Sequence, residues 1–555
     1  MAGNRLPRRR FLGLGGALLV GACGGSQGKN TASRSTTGSA TAAARAATAA
    51  AGKPLYGGTM VLAQSSDPGI LNPGITTSTP THTAIGPMFN GLIALDTKLQ
   101  PISDLALKWT AAPDAMTYSF DLAPNVTWHD GKAFSSADVK FTFEQILLKF
   151  SSRTRSSLMD ILSSIEIPSA TSVVFKFKAP YSPFLSLIDK INAPILPQHL
   201  YDGQDPQNSS VNQHPVGTGA FKFSEGVKAD HYTYLRNAQY FKPGQPYLDK
   251  IVVRIIPDNA ARELAFEHGE ADFFGPDTNN VDKLKQMSGV SVTSEGSEGF
   301  ANILDLAFNL EKPLLQNLAV RQAIAYAIDK DFVVQSVYSG QGKAATGPVS
   351  SRLAWAYNSK VTIYPHDPAK ANQLLDGAGY PKGGNGTRFK LVFPHEPAMA
   401  SLAEVLRDQL KQAGIVLDIQ QLERNAWIDR VYMKRDFDFS YTNFENGPDP
   451  DIGVKRMFIS SNIGPVPFSN EAAYRNPQVD QLFSRAAQIL DRGQRGQLYG
   501  QIQEIVTRDL PYISLVETPS SSAFRNDYKG LADHNAKSSI YYEDAWWTKG
   551  KPTPS

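Results

Sequence analysis

The sequence predicts an α/β protein of mixed β-sheets flanked by helices, and three observations carry that prediction. Hydrophobic residues make up 41% and charged residues 19% of the 555, the balance of a chain that folds, and at one domain per roughly 150 residues the length implies about three to four domains. Between 367 and 444, helical and strand patterns alternate as β-α-β-α-β. Elsewhere, strands of period two stand beside a helix of period 3.6. The charge is close to balanced: 55 Lys and Arg face 52 Asp and Glu. Without the four arginines before residue 23 the net charge becomes −1, so no broad basic surface exists for nucleic acid. A single cysteine excludes internal disulfides and any Cys-based zinc site.

Residues 1–22 read as a signal peptide, with Arg5, Arg8, Arg9 and Arg10 ahead of a short apolar run. The run from Phe11 to Ala22 spans 12 residues, too few for the roughly 20 of a membrane-spanning helix. Val20-Gly21-Ala22-Cys23 resembles a bacterial lipobox, which makes Cys23 the acylated first residue of a mature lipoprotein. An ordinary secretory peptide with an incidental Cys is the alternative. Arg8-Arg9-Arg10-Phe11-Leu12 resembles a twin-arginine export motif, with Pro7 in place of the usual Ser or Thr. Residues 23–53 are mostly Gly, Ser, Thr and Ala and read as a flexible tether of roughly 30 Å reach. Everything after it is expected outside the cytoplasm.

The folded part opens with a strand at Gly57–Gln64 and a turn-rich loop, 65–73. Strands at Thr117–Leu122 and Ser172–Lys178 alternate apolar and polar residues. Between them a helix begins at Ser135, with Asp138 completing a start signal and Val139, Phe143, Ile146, Leu147 and Phe150 forming one stripe. A strand (Ile251–Ile256), a helix (Asp258–His268), a second strand (Ala271–Phe274) and two helical runs across Gln316–Tyr338 follow. Asp367-Pro368 is an N-cap with Pro at the first helical position. Then come a strand (Phe389–Phe393), a helix (Ala398–Ala413) closed by Gly414, a strand (Val416–Leu422), a helix (Ala426–Lys434) and a strand (Phe437–Phe444). Right-handed crossovers would make these three strands parallel in one sheet, whose ligands collect beyond the strand C-termini. The loop there carries Glu445, Asp449 and Asp451.

Catalytic and metal signatures are missing. Gly342-Lys343 is followed by Ala344, so there is no phosphate loop. His395-Glu396 has Met399 where a zinc protease needs His, no two His lie closer than His199 and His214, and no Gly-x-Ser-x-Gly elbow occurs. No cofactor, metal or catalytic residue is assigned. A hydrolase assembled from distant residues stays open as a lesser alternative. The loop containing Asn443, Phe444, Glu445, Asn446, Gly447 and Asp449 has two readings. Its carboxylates attract a cationic ligand group while the backbone pairs with an extended ligand, or Asp449 and Asp451 simply cap the following helix. Glu445 is the one expected to point into the cleft. Trp355 and Trp427 either pack on a ligand or pack within the protein. Phe308, Tyr326 and Phe332 are expected in the core.

Several blocks resemble the family 5 extracellular solute-binding proteins, the peptide, opine and nickel receptors of bacterial ATP-binding-cassette importers. They include Gly57-Gly58-Thr59 with Ser66-Asp67-Pro68-Gly69, Phe89-Asn90-Gly91, Trp128-His129-Asp130-Gly131, and Val320-Arg321-Gln322-Ala323. Pro215-Val216-Gly217-Thr218-Gly219 followed by Arg236-Asn237 and Asp249-Lys250-Ile251 is the most recognisable. The resemblance implies a bilobed periplasmic-binding-protein clamshell of the large three-domain form (type II, cluster C). Domain I would be discontinuous (54–95, 212–300 and 512–555), with domain II at 96–211 and domain III at 301–511. It implies a monomer that captures a small solute, a short peptide first and an opine, sugar or metal chelate as the alternative, and delivers it to membrane permease subunits with cytoplasmic ATPases. In peptide-binding relatives an Asp of the 443–451 loop meets the ligand amine; here Glu445-Asn446-Gly447-Pro448 departs from that run. Ser66, Gly69 and Ile70 carry over as backbone contacts.

Overall fold

The computed structural model describes residues 53–76, 78–294, 302–465, 467–518, 521–531 and 541–551. Cys23, the signal peptide and nearly all of the tether lie outside them.

A seven-stranded sheet is assembled from three separated stretches of chain. Its order is 290–293, 522–525, 273–274, 59–64, 250–255, 231–236 and 221–227. Thr59–Gln64 is central and runs parallel to both neighbours. The strand inserts Met60 and Leu62 into the core beneath the sheet. Helices Asn259–Glu267, capped by Asp258, and Val281–Lys285 lie over its other end, around Phe266, Phe274 and Leu284. The Pro215–Gly219 run fixes how this sheet meets its neighbours. A Cβ on Gly217 would fall 1.8 Å from the Met88 carbonyl oxygen and one on Gly219 2.4 Å from the Met88 carbonyl carbon, while Gly219 N–H donates to Met88 O at 2.8 Å. Only glycine permits that approach.

The second sheet is antiparallel, in the order 106–111, 117–122, 172–177 and 162–169. The expected helix starts at Ser136 with a complete capping box between Ser135 and Asp138, then widens into a π-turn over Thr142–Leu147. Its stripe is buried as anticipated at Val139, Phe143, Ile146 and Leu147.

The third unit corrects the sequence reading. Phe389–His395 and Ile415–Gln421 are parallel across the helix Ala400–Gln412, but Phe439–Glu445 does not join their sheet. It pairs antiparallel with Asn302–Phe308, which pairs antiparallel with Tyr512–Thr518. The two sheets meet at Asp438, whose N–H donates to Val392 O at 3.3 Å and whose carboxylate accepts from Val392 N–H at 2.9 Å. A side chain thus takes the place of the next ladder bond and ends the pairing. Because Tyr512–Thr518 belongs here, the return to the first sheet falls after 518 and not at 512. Phe308 is fully buried and Tyr326 packs against the core. Phe332 does not: it is 51% exposed, since the helix Lys330–Val337 turns Val333 and Val334 inward instead.

One continuous apolar core joins the second sheet to the third unit, while the seven-stranded sheet keeps two cores of its own. Among the described residues, no helix is long and apolar enough to cross a membrane.

A candidate site built from three parts of the chain

The Ser66–Ile70 loop is held rigidly beside the central strand. Asp67 accepts from Ala229 N–H (2.7 Å), the Tyr232 hydroxyl (2.9 Å) and Gly69 N–H (2.8 Å). Burial pushes its carboxyl up, but these bonds outweigh burial and hold it below the usual range. Ser66 and Gly69 are exposed and Ile70 is half-buried. The Ser66 carbonyl already accepts from Gln64 Nε2 at 2.5 Å.

Next along the chain, the helix Thr79–Ile85 carries His82, whose Nε2 lies 2.9 Å from Thr76 O. Burial is the main cause that pushes the imidazole down to about 4, with Arg153 adding to the effect and Glu445 opposing it. The ring is therefore neutral at physiological pH, and its two charged neighbours come from elsewhere in the chain.

Arg153 lies on the helix Ser152–Leu158 of the second unit, and Glu445 ends the strand Phe439–Glu445 of the third. Arg153 Nη2 donates to Glu445 Oε2 at 2.5 Å, across 292 residues of sequence. Both side chains are largely shielded, at 15% and 19% exposure. Arg153 Nη1 also donates to Asn192 Oδ1 at 3.3 Å, and Asn192 is fixed by Asp189 through its N–H (2.9 Å) and its side-chain amide (2.8 Å). Beside this pair, Arg456 projects from the helix Lys455–Phe458, with its guanidinium 4.4 Å above the Phe444 ring. Arg456 is pushed down to about 10, by burial first and by Arg153 second, partly offset by Glu445.

The remaining predicted residues separate into two sets. Asn443 is exposed on its strand between buried Thr442 and Phe444. Asn446 is a structural tie: it accepts from Ser350 N–H and donates to Pro348 O at 3.0 Å. Gly447, at φ +66°, turns the loop beside Gly453. Asp449 sits inside, 1% exposed, and caps the helix Pro450–Gly453. Its carboxylate meets Arg495 Nη2 at 2.7 Å and the Tyr499 hydroxyl at 3.0 Å, so it is saturated by the protein. Asp451 accepts from the Tyr181 hydroxyl at 3.2 Å and pairs with Lys455 at 3.1 Å. All three loop carboxylates thus have basic partners within the chain, and capping is the role of Asp449. Trp427 is 2% exposed and stacks on Tyr441 at 4.8 Å. Trp355 is half-buried between Tyr499 (5.7 Å) and the guanidinium of Arg492 (4.5 Å). Packing accounts for both tryptophans.

His82, Arg153 and Arg456 were not singled out in the sequence. Each is one polar residue among others on a short helix, with no motif to mark it, and only folding brings them to Glu445.

Comparison with known proteins agrees with this architecture. The profile of the bacterial extracellular solute-binding proteins, family 5 (middle), matches residues 100–465. The chain belongs to this family. A putative ABC transporter peptide-binding protein of Brucella ovis is 32% identical over 438 residues, covering 76% of this chain and 80% of that protein. The oligopeptide-binding protein AppA of Bacillus subtilis is 26% identical over 549 residues, 96% of each. Its structure in complex with a nonapeptide superposes with a TM-score of 0.77, covering 90% of this chain and all of that one. The periplasmic binding protein DppA of Helicobacter pylori, solved with the peptide STSA, gives a TM-score of 0.77 at 26% identity, covering 89% of this chain and 99% of the other. The fold is therefore that of the family 5 periplasmic binding proteins, and the role is extracytoplasmic solute binding.

Proposed function

We propose that this chain captures short peptides outside the cytoplasm and delivers them to an ABC permease, tethered to the membrane by a lipid on Cys23. The supporting observation is the junction at Glu445, where side chains from three distant parts of the chain come together: His82, Arg153 and Asn192, and Glu445 and Arg456. A solute bound there touches all three. Ligand contact with both lobes then stabilises the closed form by its differential affinity for that form, and closure marks the protein as loaded for the permease. The peptide-binding relatives support the choice of ligand. A lipid and tether add effective concentration at the membrane.

Native mass spectrometry of the purified protein tests the ligand: a ladder of co-purifying masses that fragment as peptides is expected, and a single non-peptide mass refutes it. Cys23→Ala tests the anchor. It is expected to move the protein from membrane to soluble fraction, and retention at the membrane would remove the lipid from the proposal.

A further inference from the structure

We infer that the cleft recognises its solute through a carboxylate laid against Arg456, and that Glu445, already matched by Arg153, does not recruit a ligand amine. The inference rests on the solute-binding reading of this cleft and names the chemistry of its ligand.

The charges at the junction do not cancel. Arg153 and Glu445 form a closed pair at 2.5 Å. His82 is neutral at physiological pH because burial holds it near 4. Glu471, the other acid acting on Arg456, is fully buried and pushed up to about 8 by that burial, so it offsets Arg456 less than an ordinary carboxylate would. Tyr432, fully buried with its hydroxyl 3.0 Å from Thr442 Oγ1, is neutral too, burial driving its hydroxyl further up. Arg456 is the cation of this junction that forms no ion pair among the described residues, whereas Arg153 has Glu445.

Its geometry is that of a prepared receptor. Nε donates to Gly453 O at 3.1 Å, and the guanidinium plane is steadied over Phe444. Its two Nη groups have no hydrogen-bond acceptor among the described residues. A fixed guanidinium with a free edge matches a carboxylate by two parallel N–H···O bonds. In a partly desolvated cleft an unmatched cation favours an anionic ligand group and opposes a second cation. A peptide C-terminus and the carboxylates of an opine-type acid offer the same chemistry.

The test measures binding to the ligand-stripped mature protein by calorimetry. The probes are a pool of random tetrapeptides as free acids, the same pool N-acetylated, the same pool as C-terminal amides, and a set of N-carboxyalkyl amino acids. Free and N-acetylated acids are expected to bind within about 3-fold of each other, and the amides about 10- to 100-fold more weakly. Arg456→Gln is expected to erase the difference between acid and amide, whereas Lys455→Gln on the same helix leaves it. Should Arg456→Gln not fold, the acid-versus-amide comparison on the unaltered protein decides alone. Peptides that bind equally as acids and amides, or that lose binding on N-acetylation, would overturn the inference and leave the peptide assignment standing. If no peptide binds but the carboxyalkyl amino acids do, and lose affinity with Arg456→Gln, the peptide assignment falls and the inference stands. Failure of every carboxylate probe overturns both.

Discussion

Asp449 is the residue whose substitution separates framework from ligand contact most sharply. Its carboxylate is 1% exposed and Arg495 6% exposed at the side chain. Their contact at 2.7 Å is supplemented by the Tyr499 hydroxyl at 3.0 Å and by the cap on Asp451 N–H at 3.0 Å. Asp449→Asn keeps the shape and the capping oxygen but leaves the Arg495 charge buried without a counterion. Breaking one side of a buried pair costs about 3–5 kcal/mol, so the ligand-free protein should lose that much stability in urea, followed by circular dichroism. Asp449→Ala loses the cap as well, about 1 kcal/mol more. The cause is checked by removing the stranded charge. Arg495→Met in the Asp449→Asn background should recover at least about 1 kcal/mol, although it also loses the bond from Arg495 Nε to Ala486 O. A cost below about 1 kcal/mol for Asp449→Asn, or no recovery in the double variant, would refute the reasoning. So would a large loss of affinity for the co-purifying solute in a variant that remains folded.

Three further outcomes follow from other parts of the structure. The Arg153–Glu445 bridge links the second unit to the third, so a double-mutant cycle with Arg153→Gln and Glu445→Gln should show coupling of about 1–3 kcal/mol, between exposed and buried pairs. In the ligand-free protein the single variants should scatter X-rays as a more open particle; identical scattering profiles would rule out a role in closure. Asp305, fully buried and bonded to the Ser514 hydroxyl at 2.7 Å, is pushed up to about 8 by burial. The folded state therefore binds a proton that the unfolded chain releases near pH 4. The stability from this group is complete below that pH and is lost as pH rises toward 8. Asp305→Asn should flatten the decline by up to about 1.4 kcal/mol per pH unit, and an unchanged slope in urea titrations from pH 5 to 7 counts against it. Gly453→Ala would place a Cβ 1.9 Å from Asn446 O. A loss of about 1–3 kcal/mol is expected, as for an overpacked interior, and wild-type stability would show that the loop yields freely.

Local chemistry made much of the fold legible. Ser135 and Asp138 announce a helix because the capping box lies within four residues, and Asp367-Pro368 announces another because the N-cap and the Pro at the first helical position are adjacent. The Pro215–Gly219 run was recognisable without its purpose, which is the close approach of Met88. What failed involved choices among distant partners. Phe439–Glu445 reads as a third parallel strand until Asn302–Phe308 claims its edge. Phe332 sits on an apolar helix, yet the rotation of that helix against its neighbours turns it outward.

The site divides along the same line. Sequence alone determined that the loop after 443 carries acids and that the chain has the signatures of its family, because those properties reside in consecutive residues. Sequence alone also singled out Glu445 among these acids, but only the tertiary structure decided which cation each acid meets. Glu445 and Asp449 are four residues apart, but one meets Arg153 of the second unit and the other Arg495 in the interior. The physical reason is that a carboxylate's role is set by the cation and the dielectric around it, and both are supplied here by residues far away along the chain.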